Sequence, residues 1–154
     1  FFRSGRSFPI ASVMSQRKKP AHASDEAAAL ALPGPPASTS VKRIAIVGTG
    51  VIGSGWAAIF IARGYAVIAY VRSAQSEDKF QHFFEAAWRK VRARGLTSDP
   101  EGWTRVRCCR TIAECVSKAD YIQESVVEEL PLKQAIIAEI DQHAAPDVFI
   151  GSST

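Results

Sequence analysis

The chain has 154 residues, of which 47 % are hydrophobic and 22 % are charged. This composition is typical of a globular domain large enough to form its own core. No apolar run approaches the roughly 18–20 residues that cross a bilayer, so the sequence predicts no membrane partner. The net charge is +4, but five basic and no acidic residues precede residue 25, whereas 14 basic and 15 acidic residues lie from there onward. The later part is nearly neutral, which argues against nucleic-acid binding.

Residues 1–40 are predicted to be a disordered leader. They are rich in Ser, Ala, Pro and Arg, a composition that cannot bury enough surface to offset the entropy of ordering. The Arg- and Ser-rich start is typical of a transit peptide, and an extension from a misjoined gene model explains it equally well. The expected location is therefore the cytoplasm, with the mitochondrion as the alternative if the leader is genuine.

Residues 41–154 begin with a predicted strand, helix and strand. A short apolar run at residues 42–47 is rich in β-branched residues and reads as a buried parallel strand. After a glycine loop, a helix is predicted over residues 51–63, ending at Gly64, because glycine commonly terminates helices. A second apolar run at residues 65–71 completes a unit of the size of a β-α-β crossover.

The rest of the chain continues this alternation. An apolar stripe with helical spacing predicts a helix across residues 80–91. The later predictions, in chain order, are a strand at 106–108, a short helix at 112–116, a strand at 121–126, a helix at 131–144 and a strand at 147–151. Alternating strands and helices indicate the α/β class, with a Rossmann-type parallel sheet, helices on both faces and an incomplete C-terminal end.

The cysteine spacing predicts no metal centre. Cys108 and Cys109 are adjacent, which matches no zinc motif, and Cys115 follows six residues later. We expect all three to be reduced thiols that serve as small apolar packing residues.

The glycine loop after the first strand has the pattern of a phosphate-binding turn. Residues 48–53 read Gly-x-Gly-x-x-Gly between a buried strand and a helix, which is the context that gives this pattern meaning. Gly48 permits the tight turn, Gly50 leaves room for a pyrophosphate, and Gly53 lets the helix pack close to the strand. The free N–H groups of the helix start, at Val51 and Ile52, would then bind the phosphates of a dinucleotide.

The end of the second strand bears on the choice between NAD and NADP. An NAD site usually has Asp or Glu about 20 residues past the loop, where it binds the ribose 2′-OH. Val71 occupies that position, Arg72 follows it, and no carboxylate occurs between residues 64 and 76. The missing acid and the arginine favour a 2′-phosphate and hence NADP. If Arg72 is a solvated loop charge instead, NAD binds with one contact fewer.

Three segments resemble the 3-hydroxyacyl-CoA dehydrogenase family, including its lambda-crystallin and carnitine dehydrogenase branch. The first is Val-Gly-Thr-Gly-Val-Ile-Gly-Ser-Gly-Trp-Ala at residues 47–57. The second, and the more specific, is Ala-Asp-Tyr-Ile-Gln-Glu-Ser-Val-Val-Glu-Glu-Leu-Pro-Leu-Lys at residues 119–133. The third is Gly-Ser-Ser-Thr at residues 151–154. The resemblance covers residues 41–154 and implies an NAD-binding oxidoreductase domain.

The resemblance implies roles for residues beside the cofactor. Glu128 and Lys133 match a glutamate and a lysine that the family places near the nicotinamide end, and Ser152 and Ser153 match the strand-end residues that flank the cofactor. Glu128 and Lys133 also lie where a predicted strand ends and a helix begins, at the sheet edge where ligands bind. Without the family, an ordinary helix-start acid and a solvated lysine are the default interpretation.

The resemblance also implies that this chain has no catalytic residues. In the family, a histidine held by a glutamate takes the proton of the 3-hydroxyl group as hydride leaves for the nicotinamide. The catalytic serine follows the threonine that matches Thr154, and the histidine, the glutamate and a helical second domain lie further on. We therefore expect no turnover, and we expect an acyl-CoA or other small substrate and a homodimer only for a full-length form.

Two other functions remain open at this point. One is a non-catalytic dinucleotide-binding module with a sensing or structural use. The other is an NADP-linked β-hydroxyacid dehydrogenase, which the residues at 71–73 favour and the block at 119–133 disfavours.

Overall fold

The computed structural model describes residues 41–153, so the predicted leader at 1–40 lies outside the described residues. Short parallel strands and helices alternate, as the sequence predicts. They are β1 (Arg43–Val47), α1 (Val51–Ala62), β2 (Ala66–Tyr70), α2 (Ala74–Ala93), β3 (Val106–Cys109), α3 (Ile112–Val116), β4 (Tyr121–Glu124), α4 (Leu130–His143) and β5 (Phe149–Ser152). One 3-10 turn at Gly102–Arg105, which was not predicted, precedes β3.

The five strands form one parallel sheet in the order β3-β2-β1-β4-β5. The chain winds outward from the central strand β1 through β2 to β3, then crosses back to β4 and continues to β5. The winding direction therefore reverses between β1 and β4. In open α/β sheets, ligands bind at the carboxyl ends of the strands beside this reversal point. The topology therefore predicts a ligand-binding crevice between the ends of β1 and β4.

Helices cover both faces of the sheet, which confirms the predicted Rossmann-type architecture. Successive side chains of β1 point to opposite faces, as strand geometry requires. Ile44 and Ile46 belong to the cluster under α1 and α2, which also contains the fully buried Trp88 of α2. Ala45 and Val47 belong to the cluster under α3 and α4. The central strand is thus buried on both sides, and its near-continuous apolar sequence follows from that.

Helix α2 begins at Ala74, six residues before the predicted start. Its first turn contains no large apolar side chain, so the apolar stripe used for the prediction does not extend that far. Ser73 caps the helix instead: its Oγ accepts a hydrogen bond from the backbone N–H of Ser76 at 3.1 Å, and the Oγ of Ser76 accepts one from the N–H of Ser73 at 2.9 Å. This reciprocal pair is a capping box in which serine replaces the usual Glu or Gln.

Residues 41–153 contain neither a candidate membrane span nor a candidate metal site. No helix in this range is both long and apolar enough to cross a bilayer. No group of three His, Cys, Asp or Glu side chains in the same range is placed to hold a metal ion. The three cysteines are free thiols, with Cys109 and Cys115 buried and Cys108 half-buried.

Candidate functional site

The turn between β1 and α1 depends on glycine at two positions. Gly48 has a φ of +101°, and a Cβ there would lie 2.4–2.6 Å from backbone atoms of Ser125 and Val126. A Cβ at Gly53 would lie 1.8 Å from the carbonyl oxygen of Gly48. Both glycines are therefore needed so that the turn can close tightly against β4 and α1, which are the roles predicted for them.

Gly50 differs from the other two, because a Cβ there would meet no heavy atom within 4 Å. It is the N-cap of α1, has no side-chain cap, and is followed by a first turn without an acidic residue. Among residues 41–153, no acceptor is recorded for the N–H groups of Val51, Ile52 and Gly53, and the first recorded bond is from Ser54 N–H to Gly50 at 2.9 Å. Open space beside free N–H groups at a helix start fits an anion such as a pyrophosphate.

A cavity of about 480 Å³ opens beside this turn. Its walls come from the turn itself (Gly48 and Gly50), the end of β2 (Tyr70 and Arg72), the first half of α2, the segment after β4, and α4. The cavity thus lies at the carboxyl ends of β1, β2 and β4, where the winding of the sheet reverses. Its volume is within the range of small-molecule and cofactor sites.

The side chains of Val51 and Ile52 lie outside this cavity. They are 68 % and 57 % exposed and line a neighbouring groove between α1 and α2. Their predicted role rests on their backbone N–H groups, so this placement leaves that role a prediction.

A buried carboxylate joins the segment after β4 to β5. Glu124, the last residue of β4, is fully buried. Its Oε1 accepts a 2.6 Å hydrogen bond from the backbone N–H of Val126, and its Oε2 accepts one from the Oγ of Ser152 at 2.6 Å. Sequence reasoning named Ser152 but missed Glu124. The available signal was an acid at the end of an apolar strand, because a charge buried there must be paired.

Lys133 lies between two carboxylates. Its Nζ is 3.1 Å from Glu128 Oε1 and 3.5 Å from Glu124 Oε2. Desolvation acts to lower the pKa of Lys133, but its hydrogen bond to Glu128 and the charge of Glu124 outweigh it and raise that pKa. The ammonium is therefore held in its charged form. The structure brings Glu128, Lys133 and Ser152, which the resemblance places beside the cofactor, together around Glu124. None of the three lines the cavity.

Ser153 ties α1 to the strands. Its Oγ lies 3.2 Å from Trp56 Nε1, 2.9 Å from Gln123 Nε2 and 3.0 Å from Ser125 Oγ. Its backbone N–H donates to the carbonyl of Glu124 at 3.0 Å. These bonds fix the end of β5 against the segment after β4.

At the end of β2, Val71 occupies the position predicted for a ribose-binding acid. Val71 is 1 % exposed and belongs to the core under α1 and α2. Arg72, next in the chain, is exposed and lines the cavity. The guanidinium of Arg110 donates to the carbonyl oxygens of Val71 and Ser73, each at 3.1 Å, and forms an ion pair with Glu77. This strand end therefore presents basic side chains.

Comparison with known proteins agrees with this geometry. The sequence model described as "3-hydroxyacyl-CoA dehydrogenase, NAD binding domain" matches residues 43–154. The L-carnitine dehydrogenase of Streptomyces coelicolor is 39 % identical over 115 residues, which are 75 % of this chain and 36 % of that protein. The L-carnitine dehydrogenase of Pseudomonas aeruginosa is 42 % identical over 116 residues, again 75 % of this chain and 36 % of that protein. The chain thus spans about a third of the length of these relatives.

Two solved structures are similar over three quarters of the chain. A diketoreductase that acts on dicarbonyl compounds has a TM-score of 0.68 and 26 % identity, over 75 % of this chain and 42 % of its own. An NAD⁺-dependent 5-formyl-3-hydroxy-2-methylpyridine 4-carboxylic acid 5-dehydrogenase has a TM-score of 0.66 and 29 % identity, over 74 % of this chain and 37 % of its own. Each match covers less than half of the solved chain, so the similarity lies in one part of that larger protein.

Proposed function

Because this chain belongs to the 3-hydroxyacyl-CoA dehydrogenase family and contains its NAD-binding domain, we propose that it holds the dinucleotide for an oxidoreductase acting on a 3-hydroxy substrate. Hydride would pass between the carbon that bears the 3-hydroxyl group and the nicotinamide ring. The substrate is a 3-hydroxyacyl thioester or a related 3-hydroxy acid. L-carnitine, the substrate that names the curated relatives, belongs to this second class.

The observation that carries this proposal is the cavity beside the glycine turn. The turn has open space at Gly50 and free helix N–H groups, and the cavity extends from there to the end of β2 and to the segment after β4. A dinucleotide needs these three contacts in a row: one for the pyrophosphate, one for the adenosine and one for the nicotinamide. The lining residues of the cavity come from each of these three places.

Each part of the dinucleotide has a proposed set of contacts. Gly48 and Gly50, with the N–H groups of Val51, Ile52 and Gly53, would bind the pyrophosphate. Arg72 would lie at the adenosine ribose. Glu128, Lys133 and Ser152 would lie at the nicotinamide end, where Lys133 supplies a fixed positive charge and Glu124 holds Lys133 and Ser152 in place.

We propose that the described residues bind and orient the dinucleotide and that other groups perform the proton transfer. The two histidines in residues 41–153, His82 and His143, lie exposed on α2 and α4, and neither lines the cavity. We therefore expect no turnover of a 3-hydroxyacyl-CoA or of L-carnitine by this chain. Steady-state assays with NAD⁺ and NADP⁺ test this, and cofactor-dependent turnover would contradict it.

Titration calorimetry on the full 154-residue chain tests the binding function. We expect saturable binding of NADH at one site per chain. Gly50→Ala should weaken it by about ten-fold or more, because the added methyl group occupies the space reserved for the pyrophosphate. Gly55→Ala is the matched control, since a Cβ there also meets nothing within 4 Å but lies one turn into α1. Equal loss of affinity in both variants, or no binding by the folded parent chain, would refute the proposal.

A further inference from the structure

We propose that the cavity contains a subsite for a phosphate group on the 2′-oxygen of the adenosine ribose, so that this chain binds NADP(H) more tightly than NAD(H). The inference rests on the proposed dinucleotide function and adds a specificity to it. The side chains that support it lie at the end of β2 and on the first half of α2.

The residue at the end of β2 determines whether the site favours a ribose 2′-OH or a 2′-phosphate. Sites selective for NAD place a carboxylate at the end of β2, which accepts a hydrogen bond from the 2′-OH and repels a 2′-phosphate. Here Val71 holds that position and is packed into the core at 1 % exposure. The contact that would favour a free 2′-OH is therefore missing, and so is the charge that would exclude a phosphate.

The charged side chains of the cavity wall are both cationic: the lining contains Arg72 and Lys79 and no acidic residue. Within residues 41–153, neither cation forms an ion pair. Two cations without a counter-charge at one end of a cavity attract a doubly charged phosphate, and arginine can bind it through two parallel hydrogen bonds.

Glu77, on the first turn of α2, is adjacent to the lining residue Ser76 and would oppose a phosphate if its charge were not compensated. Its carboxylate is instead paired with the guanidinium of Arg110, which is itself fixed by the carbonyl oxygens of Val71 and Ser73. The negative charge of Glu77 is therefore compensated by Arg110.

Residues from β2 and from α2 reach the same cavity wall. Ser76, Lys79 and Phe83 line the cavity and are spaced three and four residues apart on α2, so they lie on one face of that helix. Arg72 and Tyr70 reach the same cavity from the end of β2. The capping box at Ser73 fixes how α2 starts next to this strand end. Strand and helix thus each supply one cation to the same wall.

Titration calorimetry with ADP-ribose and 2′-phospho-ADP-ribose tests the proposal on the full chain. We expect the phosphorylated ligand to bind about ten-fold or more tightly, and this ratio to shrink as salt rises. Arg72→Ala and Lys79→Ala should each lower affinity for the phosphorylated ligand by about ten-fold and leave ADP-ribose within about two-fold. Arg89→Ala, an exposed cation further along α2, should change neither.

A charge-reversing variant makes the test independent of any loss of structure. Arg72 is exposed, so Arg72→Glu should fold and reverse the preference toward ADP-ribose. The proposal is overturned if the parent chain binds ADP-ribose as tightly as its 2′-phosphate, or if Arg72→Ala weakens both ligands equally. Binding of neither ligand by a chain with a cooperative melt would instead refute the dinucleotide function itself.

Discussion

The Oγ of Ser152, at the end of β5, donates a 2.6 Å hydrogen bond to Oε2 of Glu124, at the end of β4. The same carboxylate accepts the N–H of Val126 and lies 3.5 Å from the Nζ of Lys133. One fully buried acid therefore fixes a strand end, a loop and a helix start around the proposed nicotinamide end of the cavity. Glu124 contacts each of these elements, whereas Oε1 of Glu128 lies 3.1 Å from the Nζ of Lys133 at an exposed position.

Replacing Glu124 should reduce both stability and dinucleotide affinity. In Glu124→Gln, the charge that compensates Lys133 inside the fold is lost and at least one hydrogen bond must change its direction. We expect a loss of about 2 kcal/mol in the free energy of unfolding, measured by urea denaturation. Glu128→Gln is the matched control, because it removes the other partner of Lys133 at an exposed position and should cost no more than about 0.5 kcal/mol. Equal stability of the two variants would contradict this account of Glu124.

Two glycines of α1 differ in whether a side chain would fit: Gly53 has no room for a Cβ, and Gly55 has. Gly53→Ala should lower the free energy of unfolding by about 3 kcal/mol or more, since its methyl group would lie 1.8 Å from the Gly48 carbonyl oxygen. Gly55→Ala adds a methyl group to the same helix in open space, and should be neutral or stabilising by up to about 1 kcal/mol. Thermal melts of both variants measure the difference, and a Gly53→Ala chain that melts like the parent would show that the turn can rearrange.

The glycine turn could be predicted from the sequence because its requirements lie in the backbone. Gly48 and Gly53 exclude a Cβ, and sequence shows directly where a Cβ is missing. The alternation of strands and helices was also predictable from the sequence. A strand buried on both faces, such as residues 44–47, is a continuous apolar run. The family resemblance was likewise readable, because it rests on a contiguous block at residues 119–133, and the comparisons confirm it.

Contacts between distant segments were not predictable in this way. The bonds of Glu124 join residues up to 28 positions apart, and no local pattern specifies which carboxylate becomes buried. The start of α2 was missed because Ser73 and Ser76 form a capping box from two serines, whose sequence signal is weak. That Arg72 and Lys79 line one cavity became visible only in the structure, because it depends on how α2 starts after β2.

The thiol of Cys108 should react slowly and with an unusual pH dependence. Burial, followed by the charge of Glu77, raises the pKa of Cys108 from 9.0 to about 12. Only the thiolate reacts, so the rate with a disulfide reagent at pH 8 should be lower by a factor of about 1,000 than for a free cysteine. The rate should also rise about ten-fold per pH unit between pH 7 and pH 9.5 without levelling off.

The cysteine prediction has an internal control. Cys109 and Cys115 are buried, and the hydrogen bond with Cys109, together with burial, raises the pKa of Cys115. Neither should react before the chain unfolds, whereas denaturant should release all three thiols. Cys108→Ser should abolish the native-state reaction. A rate that levels off near pH 9 in the native chain would show that Cys108 titrates normally.

Asp120 should make the stability of the sheet depend on pH below neutrality. Its Oδ2 accepts hydrogen bonds from the N–H groups of Lys42 and Arg43 at 2.9 and 2.8 Å, and its Oδ1 lies 3.2 Å from the Arg43 guanidinium. Partial burial acts against ionisation, but these bonds outweigh it and lower the pKa of Asp120 below its ordinary value of 3.8. The folded chain therefore binds this proton less readily than the unfolded chain does.

The sign of the pH effect follows from that difference. The stabilisation by Asp120 is fully present above the unfolded-state pKa and is lost as the pH falls through the lower folded-state pKa. Asp120→Asn should cost about 1 kcal/mol at pH 7, and the unfolding free energies of parent and variant should converge as the pH falls below the ordinary aspartate pKa of 3.8. Urea denaturation of both chains between pH 7 and pH 2.5 measures this convergence. A gap that stays constant across that range would show that the carboxylate charge contributes nothing and that only hydrogen-bond geometry joins β1 to β4 there.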